Sequence, residues 1–256
     1  MKKALLAVSF GTSVPGADAA IISAEASLRE ACPDRDPFRA FTSRIICRKL
    51  REEGRPVPTP EEALEQILED GYTDVVIQPT HLIPGREYEK LCSIAAGYED
   101  KFEKLSVSTP LISSPDDLKA AAEVVISHYP PQEGKALVLM GHGTGHIANM
   151  VYPALQTAFR LMGQENVFVG TVEGWPEIEE IIEQLGKSGC RNVDLAPFML
   201  VAGDHAVNDM AGDEPDSWKS MLEREGYTVH CSMEGIGGWK EIHDIFRRHL
   251  LEDCLD

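Results

Sequence analysis

Apolar residues run almost without interruption over 3–9, 74–83, 105–112, 135–140, 166–172, 192–201 and 227–233, with a shorter run near 38–42. Between them, apolar positions recur every three to four residues at 16–31, 43–53, 60–70, 116–128, 149–162, 176–187, 215–225 and 238–251. Short continuous runs predict strands buried on both faces, and the longer recurrence predicts helices with one apolar face. Their alternation predicts an α/β fold of parallel sheets flanked by helices.

The pattern repeats. KALLAVSFGT, starting at Lys3, overlies KALVLMGHGT, starting at Lys135, with Lys, Ala, Leu, Gly and Thr in common. GYTDVVIQPTHLIPGRE (71–87) overlies GCRNVDLAPFMLVAGDH (189–205), sharing Gly71/Gly189, Val75/Val193, Pro79/Pro197, Leu82/Leu200 and Gly85/Gly203. Two matches in the same order indicate a duplicated α/β half. Tyr129-Pro130-Pro131 and the residues up to Gly134 form the best linker, because two prolines stop the preceding helix. The expectation is two similar Rossmann-like domains, 1–130 and 131–256.

Composition narrows the partners. A net charge of −18 argues against nucleic acid or an anionic membrane surface, since phosphates are repelled. No apolar run reaches the roughly 20 residues that span a bilayer. The six cysteines are scattered with no CxxC pair, which points to free thiols in a reducing compartment rather than to a zinc or iron–sulfur site. The segment MKKALLAVSFGTSVPGADA superficially resembles a signal peptide. Its recurrence at residue 135 instead predicts a first strand, an uncleaved N-terminus and a cytoplasmic protein.

Ligands of open parallel sheets bind beyond the carboxyl ends of the strands. Those ends carry His142, Glu173 and His205 in the second half and Glu87 in the first. By the duplication Glu87 is the counterpart of His205, and Phe10 stands where His142 stands. GHGTGH (141–146) is a poor phosphate cradle, lacking both the lysine of a Walker loop and the G-x-G-x-x-G spacing. Two imidazoles and a carboxylate are a ligand set for a borderline divalent metal. His146, four residues on from His142, either orients a ligand or caps the helix that follows, and His81 reads as a core imidazole. Glu87 reads equally as a helix-start carboxylate favoured by the helix dipole. Trp175-Pro176 reads as a helix entry with proline first, its indole free to wall a cleft. The cluster Arg39, Arg44, Arg48, Lys49, Arg51, Arg55 is ordinarily a solvated helix face; as a functional feature it would hold substrate carboxylates, Arg44 foremost.

With these residues in place, the chain resembles the anaerobic cobalt chelatases of cobalamin synthesis, the ATP-independent sirohydrochlorin cobaltochelatases. VSFGTS (8–13), FTSR (41–44), HLIPGREYEK (81–90), MGHGTGH (140–146), VEGWPE (172–177) and MLVAGDHAVNDMAGDEPDSWK (199–219) carry the resemblance over essentially the whole chain. Arg86 stands where an acidic or small residue is expected. The resemblance implies a ferrochelatase-like fold of two α/β domains with a tetrapyrrole held between them. It implies metal binding by His142 and His205, with Glu173 and Glu87 completing the set, and His142 and Glu87 in catalytic roles. Phe10, Arg44 and Trp175 are the candidate substrate contacts. It further implies Co2+ as the substrate ion, with Fe2+ and Ni2+ as alternatives, no nucleotide requirement, and sirohydrochlorin as the organic substrate; a homo-oligomer is left open.

Two other readings stay open: a ferrochelatase or nickel chelatase acting on a related tetrapyrrole, and a non-catalytic two-domain metal- or solute-binding protein. The shared-site expectation is geometric. His142 and His205 belong at the ends of neighbouring strands, with nitrogens no more than roughly 4 Å apart around a bound ion and somewhat further apart without one. Glu173 approaches from the same sheet, and Glu87 faces them from the other half.

Overall fold

The computed structural model describes residues 2–255. Along the chain come β1 (Lys3–Ser9), α1 (Ala19–Ala31), β2 (Asp36–Phe41), α2 (Arg44–Glu52), α3 (Pro60–Glu69), β3 (Asp74–Pro79), α4 (Arg86–Ala96) and β4 (Lys104–Val107). There follow α5 (Pro115–His128), β5 (Lys135–Gly141), α6 (Val151–Leu161), β6 (Val167–Thr171), α7 (Ile178–Ser188), β7 (Asn192–Phe198), α8 (Trp218–Arg224), β8 (Thr228–Cys231) and α9 (Lys240–Leu255).

The chain divides into two compact units. The first holds a four-stranded parallel sheet in the order β2-β1-β3-β4, the second one in the order β6-β5-β7-β8. The identical orders match the sequence duplication: β1 and β5 are the central strands of the two matched segments, and β3 and β7 their equivalent neighbours.

The division differs from the expected domains 1–130 and 131–256. The first unit ends at Ser113 and resumes at Gly237, and the second runs from Ser114 to Ile236. Pro130 and Pro131 do stop α5. However, α5 packs against α6, burying Ala121, Ala122 and Val125, and so belongs to the second unit. α9 belongs to the first unit, where it packs on α1 and β3; Ile242, Ile245, Phe246 and Leu250 are buried. Helix packing, not the proline punctuation, sets the boundary.

Local signals account for most helix starts. Thr59 and Glu62 form a capping box around Pro60, and the hydroxyls of Ser43, Ser114 and Ser217 accept from the backbone three residues on. Gly189 ends α7 at φ +77°, a left-handed position that favours glycine. α4 is absent from the periodic stretches identified in the sequence; it buries only Leu91 and Ala95, too weak a stripe to stand out. The run 74–83 yields a strand only to Pro79 because its partner β1 stops at Ser9; Leu82 instead accepts from the Ile112 N–H.

Each sheet is covered by its own core. Leu6, Val8, Leu64, Ile67, Ile77 and Leu91 fill the first, and Val138, Met140, Phe168, Ile181, Leu195 and Trp218 the second. Full burial of side chains of this size is worth about 1.5–3 kcal/mol each. At the start of the first sheet, Arg35 donates to the Asp74 carboxylate at 2.8 Å and to the carbonyls of Ala4 and Asp74 at 3.3 Å, with both side chains buried. One guanidinium thus ties β1, the turn before β2, and β3. Asp74→Asn, which strands the buried guanidinium charge, should cost about 3–5 kcal/mol. Urea unfolding followed by circular dichroism checks this; a loss under about 1 kcal/mol contradicts it.

Candidate metal centre

β5 is hydrogen-bonded on both sides in parallel register, so Gly141 lies opposite Thr171 of β6 and Phe198 of β7. The three following segments therefore leave the same edge of one sheet, carrying His142, Glu173 and His205. One ligand atom from each of these side chains lies within 4.8 Å of the other two. The imidazole rings meet edge to face, with centroids 4.7 Å apart and planes at 87°. His142 Nδ1 is 3.8 Å from Glu173 Oε2. The side chains are 41%, 57% and 29% exposed for His142, Glu173 and His205, so the cluster opens to solvent.

The glycines of GHGTGH serve close packing of two loops. A Cβ on Gly141 would collide with the Tyr152 ring beneath it. Gly143 sits at φ +79°, and a Cβ there would come within 2.6 Å of the Gly174 nitrogen. That approach lets the His142 carbonyl accept from the Glu173 N–H at 2.8 Å and the Gly141 carbonyl from the Val172 N–H at 3.1 Å. Buried Asn149 clips the loops together, accepting from the Thr144 N–H at 3.0 Å and donating to the Trp175 carbonyl at 2.6 Å. Tyr152 accepts from the Gly143 N–H at 3.4 Å, and burial pushes its phenol up to about 12, holding it as the neutral hydroxyl.

Each imidazole has a partner on Nδ1. For His142 it is the Gly143 carbonyl at 3.0 Å; a carbonyl only accepts, so Nδ1 carries a proton, and the neutral ring then has its lone pair on Nε2. For His205 it is the Asp209 carboxylate at 2.5 Å. Beside the loops lies a cavity of about 510 Å³ lined by Thr171, Val172, Glu177, Asp209, Asp216 and Trp218 among others. None of the three clustered side chains lines it.

Residues 3–254 match the family described as cobalt chelatase (CbiK). The chain belongs to the cobalt chelatase family. It is 41% identical to the sirohydrochlorin cobaltochelatase of Salmonella typhimurium, over 98% of this chain and 96% of that one. It is 32% identical to the sirohydrochlorin cobaltochelatase CbiKC of Nitratidesulfovibrio vulgaris, over 97% and 89%. Among solved structures, SirB from Bacillus subtilis with Fe3+ shares the fold with a TM-score of 0.66 at 19% identity, covering 99% of this chain and 96% of that one.

The other candidates of this cobalt chelatase family member fall in both units. Glu87 lies in the first turn of α4, its Oε2 3.9 Å from Lys90 Nζ. Phe10 follows β1 and is 45% exposed; Trp175 follows Glu173 and is 54% exposed. Pro176 does not open a helix as expected: its carbonyl accepts from Thr171, and α7 begins at Ile178 behind a Glu177–Glu180 capping box. The basic cluster is largely an ion-paired surface, with Arg39 on Glu25, Arg44 on Glu61 at 2.9 Å, Arg51 on Glu62 and Arg55 on Glu53. His146 is a cap, its Nδ1 accepting from the Ala148 N–H. Sequence reasoning passed over Asn149, Tyr152 and Asp209. The last was within reach, since it stands four residues after His205.

His81 leaves the strand and lies in the following loop, with Nε2 3.5 Å from Thr42 Oγ1. Burial lowers its pKa from 6.5 to about 4. Because the unfolded imidazole protonates first, its contribution to stability is full above about pH 6.5 and drains away as pH falls toward 4. An NMR titration should find His81 neutral at pH 5.5; a midpoint near the unperturbed 6.5 contradicts the burial.

Proposed function

We propose that this chain inserts a divalent metal, Co2+ before others, into sirohydrochlorin without hydrolysing a nucleotide, as a step of anaerobic cobalamin synthesis. The convergence of His142, Glu173 and His205 at three adjacent strand ends carries the proposal. The near full-length likeness to proteins named sirohydrochlorin cobaltochelatase supplies the substrate.

Insertion exchanges protein ligands for four ring nitrogens and releases two pyrrole protons. His142, Glu173 and His205 hold the incoming ion, and two imidazoles with one carboxylate suit a borderline ion that must be both stripped of water and let go. As the ring nitrogens take the ion, the Nε2 lone pair of His142 is released and accepts one pyrrole proton. Glu87 serves as the second acceptor. Phe10 and Trp175 offer exposed aromatic faces to the macrocycle. The Arg44 guanidinium exchanges Glu61 for a substrate carboxylate, a change of little cost because an exposed pair is worth about 0–1 kcal/mol. The chain has no complete Walker sequence, in keeping with nucleotide-independent insertion.

The acidic surface disfavours nucleic acid as a partner, and no helix among the described residues is long and apolar enough to cross a membrane. The six free thiols fit a reducing cytoplasm.

Anaerobic absorbance assays with sirohydrochlorin and Co2+, Fe2+ or Ni2+ in turn test the activity and rank the metals. His142→Ala and His205→Ala should each lose more than the roughly 10–100-fold typical of changes around a metal's ligands. Near wild-type turnover in either, at matched circular dichroism, contradicts the ligand assignment.

A further inference from the structure

Asp209 lies outside the three-residue cluster, yet its carboxylate Oδ2 is 2.5 Å from His205 Nδ1. The contact is built by the backbone. His205 has helical angles (φ −60°, ψ −38°), and the chain continues as a π-helical turn over Ala206–Met210, with the Ala211 N–H donating to the Ala206 carbonyl at 3.2 Å. Ala206 and Met210 are both fully buried in the core that includes Trp218, which clamps the turn to the second unit. His205 and Asp209, four residues apart, are left side by side on its outer surface, with side chains 29% and 46% exposed. Single π-helical turns are uncommon and concentrate at functional sites.

We propose that Asp209 is a positioning residue for the metal: its carboxylate fixes the tautomer and orientation of His205, directing the Nε2 lone pair to the ion. The proposal rests on His205 being a ligand. A carboxylate has no proton to give, so Nδ1 donates, and in the neutral ring that binds a metal Nε2 holds the lone pair. Without that acceptor, the ring is free to rotate about its Cβ–Cγ bond and to populate the other tautomer, which presents an N–H where the ion needs a donor pair. The negative charge also makes the imidazole a stronger donor, as in carboxylate–histidine–metal triads. His142 is held differently, by the neutral Gly143 carbonyl, so the two imidazoles differ in the charge behind them.

The test is an anaerobic Co2+ titration of the full-length protein, followed by the ligand-field absorption of the bound ion, with KM and kcat for insertion measured in parallel. Asp209→Ala should weaken Co2+ binding about 10–100-fold and raise the KM for Co2+ correspondingly, leaving the KM for sirohydrochlorin unchanged. Asp209→Asn should fall between Ala and wild type, because an amide oxygen still accepts from Nδ1 but carries no charge. His205→Ala should lose more than either. Asp209→Ala binding Co2+ within about twofold of wild type, while His205→Ala loses it, overturns the positioning role and leaves the ligand assignment standing. If His205→Ala binds Co2+ like wild type, the ligand assignment fails and the positioning role with it. If circular dichroism shows that Asp209→Ala does not fold, the isosteric Asp209→Asn decides by the same affinity criterion.

Discussion

The hydrogen bonding of β5 between β6 and β7 is the constraint on which the rest depends. A parallel ladder sends three strands out of the sheet at one edge, and the register sets Gly141 level with Thr171 and Phe198. Side chains separated by more than sixty residues in sequence, His142 and His205, are thereby placed with their rings 4.7 Å apart. A slip of one residue in either pairing would exchange the two packed faces of that strand, setting side chains fitted to one core against the other. The fully buried Val138, Leu195 and Val169 oppose such a slip. The accuracy of the cluster is therefore set by the apolar core beneath it.

The loops translate that register into a site. They pack so closely that glycine is required at 141 and 143, and backbone bonds then fix Glu173 relative to His142 before any ion is considered. Asn149 and Tyr152 hold the same loops from below. Above that rigid base the three side chains remain partly exposed. A structural metal site closes four ligands around its ion, whereas three ligands with an open side leave coordination positions for an incoming partner. For the proposed function, that partial exposure suits an ion that is to be passed on.

The two halves place different side chains on one scaffold. The first unit repeats the strand order, with β1 central and β3 beside it. Phe10 stands at the position of His142 and Glu87 at that of His205. The equivalent strand ends therefore present a phenyl ring and a carboxylate in place of two imidazoles. In the first unit, the distinctive buried feature is instead the Arg35–Asp74 pair at the opposite ends of the strands, where it ties strand starts together.

Sequence alone determined the elements whose physics is local or periodic. Continuous apolar runs marked the strands, the internal repeat revealed two equivalent sheets, and the strand-end rule picked out His142, Glu173 and His205. Other features depend on partners distant in sequence, and only the tertiary structure decided them. The unit boundary moved from 130 to 113 because α5 finds its apolar partner in α6, and α9 rejoined the first unit because its buried face fits α1 and β3. α4 has two buried residues and no side-chain cap, so no pattern announces it. The spacing His205-x-x-x-Asp209 is visible in the chain, but it places a carboxylate on an imidazole only once a buried π-helical turn holds both on one side. Periodicity reports which face of an element is apolar; what that face meets is a property of the packed molecule.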